Sequence, residues 1–382
     1  MLHYTTADLS VMLPSPSLKH ATSAEHCARD NGTVLTIQYL RALAAGLVVL
    51  QHALAPASAH AARPLFGDLG VALFFVISGY IMWRTTCGGG RGPLAFWAAR
   101  LVRIVPLYWL FTTLFVLVAL LLPGALSSEP GLDPAFILKS YLFVPAVHPH
   151  DGHVAPVYTL GWTLNYEMFF YLVFGACLFI AQGTLRLIAV IGVFVLLVAV
   201  GSIARPSDAV LATYTNSILL EFLAGVLLAA STPWLMRRGK AAGAALVLLG
   251  AAWFAACSLS PIEAIRTFAL SGPATILVAG AIMLEPLARH APSRLGLLLG
   301  DASYSVYLTH PFALRLELLA TAALGASSWP GLLAYIAFAV PTALVAGVVC
   351  YVLVERPLVA GGHHLVPRRS RSQRSAALAA AP

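Results

Sequence analysis

Apolar runs of roughly membrane-spanning length recur along this chain, separated by short polar connections, near residues 34–55, 68–86, 104–123, 160–181, 184–203, 210–231, 241–258, 266–286, 296–323 and 331–354. A helix rises about 1.5 Å per residue, so about 20 such residues cross a hydrocarbon core. The pattern therefore predicts an all-α fold with about ten transmembrane helices. The ninth run is overlong and carries Asp301 and Pro311, each placed where the run could break. FILKSYLFVPAV at 136–147 is too short to span and contains Lys139, which makes it an interfacial segment.

The first run, TVLTIQYLRALAAGLVVLQHALA, is interrupted by Arg41 and His52. Eleven steps of about 100° return to nearly the same helix face, about 16 Å further along the axis. One face thus carries a permanent cation near one side of the membrane and an imidazole near the other. Ionisable groups in lipid cost roughly 2.5–3.5 kcal/mol each on insertion scales and mark function by default. Taken singly, Arg41 could snorkel to the interface and His52 could sit among head groups; on one face together they point to a site.

Composition agrees with the pattern. Hydrophobic residues make up 59% of the 382 residues and charged residues 10%, with a mean hydropathy of +0.84. This is the profile of a polytopic membrane protein, not of a soluble domain. With the N-terminus in the cytoplasm, seventeen of the 23 Lys and Arg fall in cytoplasmic segments and four outside, and Arg41 and Arg315 lie within spans. That bias predicts cytoplasmic termini at both ends. The net charge of +8 is then explained by inner loops beside anionic lipid, with no nucleic acid required. Residues 1–32 and 359–382 read as disordered tails flanking a membrane domain at 33–358. The cysteines have no metal or redox spacing and read as packing residues, so no metal is expected.

Other spans contribute polar residues. GVALFFVISGYIMW places Ser78 near mid-membrane, with Gly70 and Gly79 permitting close helix approach. LGWTLNYEMFFYLVF places Glu167 about 10 Å from its starting surface, and LGDASYSVYLTHPF carries His310 before Pro311, which frees a backbone carbonyl. Counted along their helices, His52, Glu167 and His310 fall at similar depth near the outer surface. On the opposite side, Arg100 and Arg103 in ARLVRIVPLYW and Arg356 in VERPL form a second layer with Arg41. Positive-inside topology alone explains Arg100 and Arg103; joined with Arg41 they suit a phosphate-bearing ligand.

Arg-x10-His, GVALFFVISGYIMW, RLVRIVPLYW, TLGWTLNYEMFFYLVF, SYSVYLTHPF and VERP, in this order over about residues 36–358, resemble the integral-membrane acyltransferase 3 family. Within it, the TIQYLR start, SGYIMW and TLNYEMFFYLVF look closest to bacterial exopolysaccharide O-acetyltransferases. The resemblance implies a ten-helix enzyme of the bacterial cytoplasmic (inner) membrane that uses acetyl-CoA to O-acylate a carbohydrate acceptor, lipid-linked or exported. It makes Arg41 and His52 an essential pair and Glu167, Arg100 and Arg103 further recurrent positions. The chain departs where many relatives read WSL-x-x-E; TLNYE keeps the acid and alters its neighbours.

Residues and resemblance together suggest one scheme. Arg41, Arg100 and Arg103 would bind the CoA phosphates. His52 would act as general base on a sugar hydroxyl or first accept the acetyl group. Glu167 would orient or charge-stabilise the imidazole, and His310 would assist the acceptor or the tetrahedral intermediate. A polysaccharide or lipid-linked-sugar transporter without acyl transfer is the alternative, although the chain lacks the internal repeat common in transporters.

Overall fold

The computed structural model describes residues 33–55, 65–87, 92–122, 132–150, 152–181, 183–258, 266–321, 329–362 and 364, without the side chains of 266–269, 319–321, 329 and 330. Among these residues there is no strand, and one isolated bridge joins Val147 to Val154. The helices are α1 (Leu35–Ala53), α2 (Phe66–Thr86), α3 (Pro93–Leu121), α4 (Pro134–Tyr141), α5 (Trp162–Cys177), α6 (Thr184–Ala204), α7 (Ala209–Tyr214) and α8 (Leu219–Met236). They continue as α9 (Gly239–Ser258), α10 (Arg266–Met283), α11 (Glu285–His290), α12 (Arg294–Asp301), α13 (Ser303–Thr321), α14 (Trp329–Cys350) and α15 (Arg356–Gly362), with a π-helical turn at Tyr351–Glu355.

Helix occupies every expected span. Among the described residues, six segments are long and apolar enough to cross a membrane: α2, α3, α6, α7 with α8 (Ala209–Met236), α9, and the stretch Gly331–Gly362. Among the other expected spans, α1 is interrupted by Gln38, Arg41, Gln51 and His52 and α5 has only 16 residues; α10 is apolar over its described part, Leu270–Met283. The overlong ninth run breaks after Asp301, between α12 and α13, whereas α13 continues through Pro311. The final helix reaches Gly362, beyond the expected domain edge at 358; residues 1–32 and most of the expected C-terminal tail lie outside the described residues. Cys177, Cys257 and Cys350 are free, but Cys87 is disulfide-bonded, contrary to the packing role expected of it.

The largest fully buried side chains include Tyr80, Tyr108, Phe170, Phe174, Phe194 and Phe222. They form a core on which α2, α3, α5, α6 and α8 converge. Outside it, Leu185, Ile188, Leu196 and Ile203 of α6 and Leu248 of α9 turn outward, as suits hydrocarbon solvent. Close approach at the centre depends on glycine. A Cβ on Gly79 of α2 would meet the Phe222 carbonyl of α8, and one on Gly225 of α8 would meet the Val76 carbonyl of α2. Two backbones in contact leave α2 almost no freedom to rotate, which fixes the face that carries Ser78 and Phe74.

α1 is held at both ends. The Glu285 carboxylate accepts from Leu35 N (3.0 Å), Thr36 N (2.9 Å) and Thr36 Oγ1 (2.9 Å), satisfying amides that no helical carbonyl reaches. Near its other end, Gln51 Oε1 accepts from Gly67 N at 2.6 Å. Gly70 packs on Ala44 and Val48, so α2 runs antiparallel to α1 and brings Ser78 near the level of Arg41.

Candidate active site

The Arg41 end of the bundle encloses a cavity of about 200 Å³ between α1, α2, α3, α5 and α13. Arg41, Arg100 and Arg103 all line it, so the structure brings the expected cationic layer together. Each is held differently. Arg41 Nη1 donates to Gln38 Oε1 at 3.0 Å, and Gln38 Nε2 donates to Asp301 Oδ1 at 2.8 Å, which ties the guanidinium to the break in the ninth run. Arg103 forms an ion pair with Glu355, which is 1% exposed and accepts from Ser305 Oγ at 2.5 Å. Arg100 lies with its Cζ 6.0 Å from the Tyr171 ring centre, and its Nε is buried without a hydrogen-bond partner. Buried donors are normally satisfied, which makes the Arg100 Nε an exception within the cavity lining. Arg356, the fourth expected member, is exposed and does not line the cavity.

Glu167 belongs to this same cavity. Its carboxylate accepts from Ser78 Oγ at 3.1 Å and from the Tyr171 hydroxyl, and those two hydroxyls lie 3.1 Å apart. Tyr171 stands four positions after Glu167, so one face of α5 presents both. The carboxylate thus sits on the arginine side of the cavity and offsets part of its positive charge.

The two histidines form a separate centre. His52 of α1 and His310 of α13 meet edge to face with ring centres 4.9 Å apart. His52 Nδ1 lies 2.9 Å from Val48 O, and His310 Nδ1 lies 3.2 Å from Val306 O. A carbonyl only accepts, so each neutral ring places its proton on Nδ1 and its lone pair on Nε2. His310 is fully buried and its Nε2 has no hydrogen-bond partner, while His52 is half-buried.

Tyr307, which lines the cavity, also contacts one of the histidines. Tyr307 packs 6.1 Å from His310 on one side and 6.3 Å, in a T-shape, from Phe74 on the other. The Tyr307 hydroxyl donates to Leu160 O at 2.9 Å and lies 3.0 Å from Thr163 Oγ1. Phe74, Thr163 and Tyr307 line the cavity; His52 and His310 do not. The sequence order Tyr304, Tyr307, His310 along α13 repeats the same progression in single helical turns.

Of the residues singled out from sequence, the structure unites Arg41, Arg100, Arg103 and Glu167 around one cavity and His52 with His310 in another centre. Glu167 makes its hydrogen bonds to Ser78 and Tyr171, not to an imidazole. Sequence reasoning passed over Gln38, Tyr171, Tyr307 and Glu355. Three of these stand three or four residues from a chosen one on the same helix, a spacing that marks neighbours on one face. Glu355 directly precedes Arg356 in VERP, and its place in a π-helical turn turns it inward; such turns recur at functional sites.

The bundle thus holds an arginine-lined cavity and, outside its lining, a pair of imidazoles. Comparison with known proteins decides the family: the sequence profile of an acyltransferase domain, that of the acyltransferase 3 family, matches residues 34–351. The chain belongs to that family. It is an acyltransferase, and with its six apolar helices a membrane protein. The enzyme is also 39% identical over 303 residues to the exopolysaccharide production protein ExoZ of Rhizobium meliloti (strain 1021), covering 78% of this chain and 90% of that protein. No solved structure matches it. The matched residues include every residue that lines the cavity; Glu355, the buried counter-ion of Arg103, falls just past the matched segment. Among the described residues of the acyltransferase, no group of three or more His, Cys, Asp or Glu is placed to hold a metal.

Proposed function

We propose that this membrane enzyme moves an acetyl group from acetyl-CoA to a sugar hydroxyl of an exopolysaccharide, free or lipid-linked, in the bacterial inner membrane. The family supports the acyl transfer and the named relative supports an exopolysaccharide acceptor. The observation that carries the donor assignment is the cavity with its three arginines, of which Arg100 keeps a buried donor without a partner. Guanidinium groups suit phosphate oxygens through their planar fork. In this reading Arg41 and Arg100 hold the CoA phosphates, and Arg103 lends its field while bound to Glu355. The thin thiol-bearing arm then carries the acetyl thioester past Phe74 and Tyr307.

His52 Nε2 takes the proton of the acceptor hydroxyl as its oxygen attacks the thioester carbonyl. The C–S bond breaks, and the departing thiolate recovers the proton from the imidazolium. His310 packs against that imidazole and fixes its orientation. Glu167, held by Ser78 and Tyr171, balances the guanidinium charge within the cavity. Purified enzyme in liposomes is expected to transfer labelled acetyl from acetyl-CoA to envelope glycan. Arg100→Gln is expected to weaken acetyl-CoA binding roughly ten- to a hundredfold, the value of a charge-assisted hydrogen bond. Unchanged binding by that variant, or no transfer by the wild type, refutes the donor assignment.

The same reading has ten spans with both termini in the cytoplasm, as the basic loops require. Reporter fusions after Lys240 and after Arg368 are expected to register cytoplasm, and fusions within 148–156 periplasm. A C-terminus found outside would reverse which surface CoA approaches.

A further inference from the structure

The cavity lining includes Phe74 and Tyr307 but neither histidine, and Tyr307 packs against both Phe74 and His310. We infer that Phe74 is a specificity-determining residue that sets the length of the acyl group this enzyme transfers, an inference that rests on the acyl-CoA reading above. Tyr307 is anchored by the Leu160 carbonyl and the Thr163 hydroxyl, so its ring has no freedom to swing. Phe74 meets it in a T-shaped contact and has no polar atom to anchor it. The Phe74 ring packs against both apolar clusters of the core, the large one built on α2, α3, α5 and α8 and the smaller one built on α1, α13 and α14. It therefore stands as the partition between the arginine cavity and the part of the bundle that holds His52 and His310.

A thioester carbonyl that reaches His52 must pass this ring, and any carbon beyond the carbonyl must fit beside it. The helix that bears Phe74 cannot yield, because Gly79 and Gly225 lock α2 to α8 by backbone contact. An acetyl group adds one methyl beyond the carbonyl; each further methylene has to displace Phe74 or remain in the cavity. In apolar pockets one methylene changes the rate of a substrate by about 10- to 200-fold. Phe74 supplies the bulk that excludes longer chains; Val71, one turn before it on the same helix and also lining the cavity, is smaller.

The test compares kcat/KM for acetyl-CoA and butyryl-CoA in liposomes, for wild type, Phe74→Ala and Phe74→Leu. Wild type is expected to prefer acetyl-CoA. Phe74→Ala is expected to raise the butyryl-to-acetyl ratio at least tenfold, with Phe74→Leu between the two. The ratio is the informative quantity because general loosening of the fold lowers both substrates together. Should the alanine variant not insert, the leucine variant, close to phenylalanine in apolar bulk, carries the measurement. A ratio that stays constant while acetyl transfer persists overturns the role of Phe74 alone. Absence of transfer from any acyl-CoA by the wild type overturns the donor reading and this inference with it.

Discussion

His52→Ala is expected to lower acetyl transfer by about two to four orders of magnitude, the usual contribution of a positioned general base. Acetyl-CoA binding should be preserved, because His52 is not among the residues that line the arginine cavity. The substitution also removes one ring of the His52–His310 contact at 4.9 Å, leaving the buried His310 beside a space on α1. Folding should survive, since α1 stays anchored by Glu285 at one end and by the Gln51–Gly67 hydrogen bond at the other. The measurement is single-turnover transfer in liposomes together with acetyl-CoA affinity on the same preparation. Near-wild-type turnover would remove the base from His52. Affinity lost in step with turnover would place His52 in the donor site instead.

Glu355→Ala is expected to cost on the order of 3 kcal/mol of stability, because it strips a buried ion pair of one partner. Glu355 is 1% exposed and Arg103 27% exposed, so water can compensate the arginine only in part. The same change leaves Ser305, itself fully buried, without its acceptor. Glu355→Gln keeps an acceptor for Ser305 and should lose less. Thermal unfolding midpoints in nanodiscs measure both variants against wild type. Equal midpoints for alanine and wild type would mean that Arg103 finds another partner at no cost. A lower midpoint with intact acetyl-CoA binding would assign Glu355 to the fold and leave donor binding to Arg41 and Arg100.

Much of the site was legible because helical spacing is local. The eleven-residue step from Arg41 to His52 falls within one helix, so composition and periodicity could put both on one face. The same reasoning, carried three or four residues further, would have reached Gln38, Tyr171 and Tyr307. It would have missed Glu355, because nothing local distinguishes an inward acid at the end of a span from an outward one. There a π-helical turn sets the direction, and the sequence signal favoured the neighbouring Arg356. Depth counting also had a limit. It placed His52, Glu167 and His310 at a similar level, yet Glu167 bonds to Ser78 and Tyr171 on the arginine side. An error of one turn in where a span begins shifts a side chain by about 5 Å, enough to move it from one centre to another.

The chain by itself determined that this is a helical membrane protein, where its apolar segments fall, that its ninth run is overlong with break points at Asp301 or Pro311, and that ionisable residues are concentrated in a few spans. These properties follow from hydropathy and from the 3.6-residue period, which act over neighbouring residues. Tertiary structure alone decided which of those residues meet. His52 and His310 are joined across 258 positions, and Arg103 and Glu355 across 252. Such pairings depend on the order and rotation of packed helices, which glycine contacts such as Gly79 against Phe222 set sterically and periodicity does not encode.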